Sequence, residues 1–575
     1  MKFGNNPLLS QRLPAWRARF VAALILSAFC LLAARSLWLQ VVNNDFLQQK
    51  GESRYSRVIE LSATRGRIAD RSGDMLAVST PVKSIWAIPE DARLSPAQAR
   101  ALAALLQMDV RELNRRLASE KDFVFVKRQI PPDVAEKVAA LELPGIHQQR
   151  EFRRYYPSGE VMAHVLGFTG VDDAGQEGIE LAFESQLAGR AGSRRVIKDR
   201  LGRIVEDVDS VRPPQDGRDI KLALDAKVQY LAYTHLKQAV VEHKAKAGGI
   251  VVLDVRSGEV LALANLPAFN PNNRVRLNGA QLRNRALIDV FEPGSTLKPF
   301  TAALALEKGR FRFDTPIQTA PGRLTIGSAT IHDTHAYGTL TLAQVIQKSS
   351  NVGVAKVAAT LAPEEMWRMY DELGFGQPLG LGFPGEAAGR LRPFKTWRPI
   401  EQATMAYGHG ISVTLMQLAR AYLAFARDGD VIPLSLTRLE SPPVAGKSIF
   451  SAQTAREVRA MLEMAVQPGG TAPQARIAGY RVAGKTGTAR KLEAGQYTDR
   501  YVAAFVGFAP ASEPRLIVAV MIDEPAAGKY YGGEVAAPVF ARVMAGSLRT
   551  LGVAPDAPLA PVQVAHDAAA VPDSL

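Results

Sequence analysis

Ser295 and Lys298 stand three residues apart in Ser295-Thr296-Leu297-Lys298, set between Phe291-Glu292-Pro293-Gly294 and Pro299-Phe300. On a helix that opens at the serine, this offset puts hydroxyl and amine on one face, close enough for the amine to take the hydroxyl proton. That is a nucleophile beside its base. Pro293-Gly294 signals a turn just before it, and Pro299 is tolerated only within a first helical turn, where backbone N–H groups lack intrahelical partners. Those free groups favour an anion forming at the serine oxygen or on a carbonyl above it. A lone Ser-x-x-Lys is a cheap pattern, but Ser295 is the only serine in the chain followed three places on by lysine.

Two further stretches raise its weight: Ser349-Ser350-Asn351, and Lys485-Thr486-Gly487-Thr488, whose Lys-Thr-Gly occurs once. Acyl transfer through a serine needs a base, an oxyanion site, a proton route and a grip on the substrate. Lys298 is the candidate base. A free lysine is protonated, and bringing its pKa from about 10.4 to near 7 costs roughly 4 to 5 kcal/mol, part of which repulsion from a second cation, Lys485, can supply. Ser349 is placed to relay a proton between the lysines and the departing amine. Asn351 offers an amide donor and acceptor to orient Lys298 and the substrate's peptide group. Lys485 to Thr488 is expected on an edge strand, where Gly487 lets a substrate backbone approach and add to the sheet. Lys485, Thr486 and Thr488 then offer one charge and two hydroxyls to a terminal carboxylate, and the N–H groups of Ser295 and Thr488 share the oxyanion.

These residues need a sheet and helices to hold them. Ile220 to Leu224, Gly249 to Asp254 and Val260 to Ala264 have strand character, with a helix expected over Ala226 to His243 and a turn at Arg256-Ser257-Gly258-Glu259. Near the end, Arg481 to Gly484 leads into the Lys-Thr-Gly stretch, and Val502 to Phe508 with Leu516 to Ile522 form a hairpin. Strands at both ends with helices between predict one antiparallel sheet closed by the first and last segments of the domain. Upstream, Val211-Arg212-Pro213-Pro214-Gln215-Asp216-Gly217 is the clearest linker. Residues 95 to 142 have a helical pattern, the Ser72-Gly73-Asp74 stretch is expected to turn a structural hairpin, and Arg150 to Tyr156 is expected as a solvated loop.

The chain of 575 residues predicts two or three globular units, and its 47% apolar content suffices for their cores. A net charge of +14 is scattered rather than patched and comes without a reading motif, which argues against nucleic acid and for an anionic membrane or wall precursor. The single cysteine, Cys30, excludes an internal disulfide. His332-Asp333-Thr334-His335 is the only close histidine pair and is read as a solvent-facing loop rather than a metal site; no metal and no cofactor is expected. Residues 1–19 are basic without an acidic residue, and an apolar run follows from Phe20 to Ala34, which Arg35 interrupts and Leu37-Trp38-Leu39 and Val41-Val42 continue. Trp16 and Trp38 lie 22 residues apart, a helical rise of roughly 33 Å, close to a bilayer's hydrocarbon core. A single uncleaved transmembrane anchor with a cytoplasmic N-terminus is expected over 20–42, with the remainder exported.

The ordered triple of motifs resembles the signature of penicillin-recognising serine enzymes. Arg65-Gly66-Arg67-Ile68, Asp70-Arg71-Ser72-Gly73 and Gly178-Ile179-Glu180 look like the N-terminal motifs of class B, monofunctional penicillin-binding proteins. Pro81-Val82-Lys83-Ser84-Ile85-Trp86-Ala87 is similar to the cell-division member, the septal peptidoglycan transpeptidase of Gram-negative bacteria. The resemblance implies an α+β penicillin-binding transpeptidase fold with a central antiparallel sheet and flanking helices, over 219–552. It implies a non-catalytic N-terminal pedestal over 43–212 that holds partners, notably a lipid-linked glycosyltransferase of the division machinery. It further implies a D,D-transpeptidase in the periplasm, anchored in the inner membrane. Such an enzyme cleaves the terminal D-Ala-D-Ala bond of a peptidoglycan stem peptide, passes the acyl group to a neighbouring amine, and is acylated by β-lactam antibiotics. Tyr407, in Tyr407-Gly408-His409-Gly410, and Tyr531, in Tyr530-Tyr531-Gly532-Gly533, sit where the family builds pocket walls. The competing reading is a membrane-tethered scaffold or β-lactam sensor without turnover. A β-lactamase fits less well, because no Glu-x-x-Leu-Asn-like element lies between Val352 and Gly484. The Ala/Pro-rich stretch 553–575 is expected to be a disordered tail.

Overall fold

The computed structural model describes residues 14–42, 56–121, 123–198, 204–493 and 495–558. The first thirteen residues of the expected cytoplasmic tail, and 559–575 of the expected C-terminal tail, lie outside that set. By internal contacts the chain separates into two units: the residues up to Ala63 together with Gly189–Asp216, and the rest.

The smaller unit holds a helix over Ala15–Leu37, continued by a wider turn over Trp38–Val42. No residue of Ala15–Leu37 is buried, and the stretch is long and apolar enough to cross a bilayer. Its three strands, Ser56–Leu61, Gly192–Lys198 and Ile204–Arg212, form one antiparallel sheet with the middle of the three in sequence at the centre.

In the larger unit, the N-terminal motifs turn out to be fasteners. Asp70 Oδ1 accepts from the N–H groups of Ser72, Gly73 and Asp74, which closes the hairpin between Ile68–Ala69 and Met75–Ala87 as expected. Its other oxygen accepts from Ala226 N, at the start of the helix that opens the C-terminal part of the unit. Glu180 bridges Arg65 and Arg154, with Nε to carboxylate distances of 2.6 Å on both sides and all three side chains almost without solvent. Two guanidinium groups on one buried carboxylate satisfy both of its oxygens at once, which is how such a charge survives burial.

Arg154 therefore corrects one expectation. Arg150 to Tyr156 is not a loop: Ile146–Tyr155 is a strand paired along Met75–Ala87, with Arg154 turned inward. A second correction concerns residues 95–142. Helices cover Pro96–Leu105, Val110–Leu117 and Pro132–Ala139, but a strand, Val124–Ile130, interrupts them. The run Val124-Phe125-Val126 is aromatic and β-branched, so it fits a pleated surface better than a helix, and it pairs with the far end of Met75–Ala87.

The remainder is built on a five-stranded antiparallel sheet. Its strands are β1 (Ala247–Asp254), β2 (Val260–Leu266), β3 (Ala483–Glu493), β4 (Gln496–Ala509) and β5 (Leu516–Asp523), in the spatial order β2-β1-β5-β4-β3. The chain's early and late strands thus meet at the β1–β5 pair. Both faces are covered, which explains apolar runs such as Ile250-Val251-Val252-Leu253. Along β5, Leu516, Val518, Val520 and Ile522 pack with helices α1 (Ala226–Glu242) and α5 (Ala537–Thr550), while Ile517, Ala519 and Met521 belong to the opposite core. That second core contains α2 (Lys298–Glu307), α3 (Leu342–Lys348) and α4 (Asn351–Ala358). β3 is an edge strand, and the Lys-Thr-Gly stretch lies in its first half.

Candidate active site

Ser295 is not the first residue of an α-helix. Gly294–Leu297 is a single 3₁₀ turn, and the α-helix proper, α2, begins at Lys298 with Pro299 in its first turn. The tighter turn keeps the chemistry, because side chains three apart eclipse on a 3₁₀ segment. Gly294 enters the turn at φ +57°, a conformation that glycine adopts without Cβ strain. Its N–H donates to Gly408 O, and a Cβ on Gly408 would fall 2.2 Å from Gly294 O. Two glycines therefore let the Tyr407-Gly408-His409-Gly410 segment lie directly on the nucleophile turn.

Lys298 and Lys485 are both fully buried. Lys298 Nζ donates to Ser349 Oγ at 3.0 Å and also to Ser349 O, and Lys485 Nζ donates to the same Oγ at 2.9 Å and to Thr486 Oγ1 at 3.3 Å. Ser349 reaches both by closing α3 in the left-handed region, φ +61° and ψ +38°. This is strain at a non-glycine residue, and it aims the hydroxyl between the two amines.

Burial pushes the Lys298 amine well below its usual pKa, the neighbouring Lys485 adds to that, and Asp333 opposes it. Burial alone brings Lys485 down to about 7. Desolvation rather than the lysine–lysine repulsion is thus the first cause of the neutral base.

Asn351 does not reach Lys298. Its Nδ2 donates to His332 O at 2.9 Å, while its backbone N–H is held by Asp333 Oδ1. Asp333 is the residue that the sequence left in a solvent-facing loop. Its carboxylate takes Ser350 Oγ at 2.5 Å and the N–H groups of Asn351 and Val352, at the N-terminus of α4. No local signal in the sequence marks it, because the helix start it holds, at Ser350, lies 17 residues further along the chain. Among the described residues no cluster of three or more histidine, cysteine or acidic side chains forms a metal site.

Along β3, alternation sends Lys485 and Gly487 to one face and Thr486 and Thr488 to the other. The role expected of Gly487 changes accordingly. A Cβ there would lie 2.7 Å from Pro293 O and 3.1 Å from Thr296 Cγ2, so the glycine admits the nucleophile turn against the strand. Thr486 Oγ1 is 3.0 Å from Thr471 Oγ1, and Thr488 Oγ1 accepts from Gly532 N at 3.0 Å. Gly532 follows Tyr531 and packs on Gly487 O, while Tyr531 itself is 49% exposed beside Tyr530. Tyr407 is buried with its hydroxyl pKa pushed up to about 12 by that burial, and it meets the His409 ring edge-on. The structure thus gathers Ser295, Lys298, Ser349, Lys485 and Gly487 around one turn. It places Tyr407 behind that turn and Tyr531 on the solvent side of β3.

A model of the penicillin-binding protein transpeptidase domain matches residues 248–545, and one of the penicillin-binding protein dimerisation domain matches 60–222. The chain is 47% identical over 549 residues to the probable peptidoglycan D,D-transpeptidase PenA of Neisseria gonorrhoeae, covering 94% of each. It is 44% identical over 551 residues to the peptidoglycan D,D-transpeptidase FtsI of Escherichia coli K12, covering 94% of this chain and 93% of the other. Among solved structures, the apo transpeptidase domain of Burkholderia pseudomallei penicillin-binding protein 3 aligns with a TM-score of 0.55 at 50% identity, over 59% of this chain and 98% of that one. With both domain models matched in order and relatives aligned over nearly its whole length, this chain belongs to the penicillin-binding protein transpeptidase family.

Proposed function

We propose that the chain is a peptidoglycan D,D-transpeptidase acting through an acyl-enzyme on Ser295. The observation that carries this reading is the convergence of two buried amines on one hydroxyl next to the nucleophile turn. A neutral amine has two N–H donors and one lone pair. Lys298 spends its donors on Ser349 O and Oγ, which leaves the lone pair for the Ser295 proton. Ser295 Oγ attacks the penultimate carbonyl of the stem peptide, and the backbone N–H groups of Ser295 and Thr488 take the oxyanion. The proton passes from Lys298 through Ser349 to the departing D-alanine. Lys485 stabilises the terminal carboxylate, and a substrate strand extends the sheet at β3. An amine of a second stem peptide then removes the acyl group.

In this reading Asn351 and Tyr531 frame the substrate cleft, Thr486 and Thr488 hold its wall from the opposite face of β3, and Tyr407 supports the nucleophile turn from behind. The apolar N-terminal helix anchors the enzyme with its basic end in the cytoplasm and the catalytic domain in the periplasm. The resemblance to the cell-division member supports septal wall as the place of action, and this reading expects a lipid-linked glycosyltransferase of the division machinery as partner.

Mass spectrometry of the full chain treated with a fluorescent penicillin tests the reading. A persistent adduct on the peptide carrying Ser295, absent in Ser295→Ala, is expected; an unmodified Ser295 overturns it, and rapid loss of the adduct points to a β-lactamase instead.

A further inference from the structure

A cavity of about 680 Å³ lies next to the nucleophile turn in sequence and does not include Ser295 in its lining. One wall is Glu292, three residues before the nucleophile, and another begins at Ala489, next to Thr488. Its floor is apolar, with Phe291, Ile411, Val502 and Met521 all buried. Its rim is charged, and most of the charges are spent on each other. Arg283 is paired with Asp289, Arg392 with Glu401, and Lys491 with Asp523 and Glu524, at 2.5 to 2.9 Å. Arg490 faces Asp499 at 3.4 Å.

Two rim groups keep unused capacity. Arg390 is exposed, and among the described residues its guanidinium has no carboxylate partner; its backbone is locked to Ser412 by two hydrogen bonds, which fixes where the side chain starts. Glu292 accepts from Gly410 N at 2.8 Å and from Tyr497 OH at 3.0 and 3.2 Å. A carboxylate offers about four lone-pair sites, so it can take a further donor.

An apolar floor between one free cation and one carboxylate beside a nucleophile suits an aliphatic chain that ends in an amine and a carboxylate. Resting on the transpeptidase reading above, we infer that this cavity is the subsite for the acyl acceptor, and that it takes an amino-acid zwitterion through Arg390 on the carboxylate and Glu292 on the ammonium. The donor strand lies along the edge of β3, so an acceptor entering here approaches the acyl carbon from a separate side. The ammonium first loses one proton to bulk water. The amine nitrogen then forms a bond to the acyl carbon as the bond from that carbon to Ser295 Oγ breaks. Neutral Lys298 takes the proton that the nitrogen sheds and returns it to Ser295 Oγ.

The experiment uses the full chain, a benzoyl-D-alanyl thioester as donor, and a matched pair of amines: D-norleucine, and pentylamine, which is the same chain without the carboxylate. Aminolysis is expected to saturate with D-norleucine at a concentration at least tenfold below that for pentylamine. Arg390→Ala erases the difference by raising the D-norleucine value about tenfold while the maximal aminolysis is retained, and Arg390→Lys restores part of it. Labelling of Ser295 by fluorescent penicillin confirms that each variant is folded. Equal saturation of the wild type by both amines, or an unchanged D-norleucine value in Arg390→Ala, overturns the inference. No thioester-derived adduct on wild-type Ser295 is a different failure: it removes the transpeptidase reading itself, and the acceptor subsite with it.

Discussion

Lys298 and Lys485 come from a helix start and an edge strand, yet they share one acceptor, Ser349 Oγ, at 3.0 and 2.9 Å. Two ammonium groups cannot both be retained in such a place without water, so the pair forces at least one amine to be neutral.

Lys485 sets a pH dependence whose sign is fixed. Its folded pKa, about 7, lies below the unfolded value near 10.5. Between these values the unfolded chain binds more protons, so this group's contribution makes stability rise with pH from about 7 upward. Depressing its pKa from the free value to about 7 costs roughly 4 to 5 kcal/mol. Lys485→Met is therefore expected to unfold later than wild type in a pH 7 thermal scan, with the advantage shrinking toward pH 10. The substitution also removes a charge that lowers the Lys298 pKa. The rising limb of whatever penicillin acylation remains should move to higher pH, which stopped-flow or quenched labelling across pH 5 to 9 measures.

Asp333→Asn should act in the opposite direction. The aspartate favours the charged form of Lys298, so its neutralisation moves the rising limb of acylation to lower pH. It also weakens the cap on α4, with an expected loss of about 1 to 2 kcal/mol in urea unfolding. A merely structural role would lower stability without moving the pH limb.

Gly487→Ala places a Cβ 2.7 Å from Pro293 O. Strand and nucleophile turn must separate, and a shift approaching 1 Å in such a site costs on the order of 100-fold in rate. The second-order rate of Ser295 labelling is expected to fall by about 10- to 100-fold, with circular dichroism unchanged.

Glu180→Ala removes the only carboxylate partner of Arg154 among the described residues and one of the two carboxylates, Glu180 and Glu184, that hold Arg65, both guanidinium groups being nearly without solvent. Breaking a buried ion network by removing one partner costs about 3 to 5 kcal/mol. Unfolding monitored by intrinsic fluorescence should show an early transition in the N-terminal part, while labelling of Ser295 before that transition persists.

The three motifs with their order, the turn at Pro293-Gly294, the apolar N-terminal segment and the strands at both ends of the catalytic part are legible in the residues themselves. Each rests on a local rule: a proline that fixes φ, an offset that sets a face, an unbroken apolar run that fits a strand buried on both sides. The rest depends on partners far away in sequence. Arg154 looks solvated until Glu180 meets it, and Val124–Ile130 is a strand because Met75–Ala87 runs beside it. Asp333 has no visible purpose until α4 starts on it, and Gly487 serves the turn at Pro293 that lies almost two hundred residues earlier. The types of group available for chemistry are a property of the chain, whereas the neutral state of Lys298 is a property of the fold, because only tertiary packing takes water away from an amine and sets Lys485 beside it.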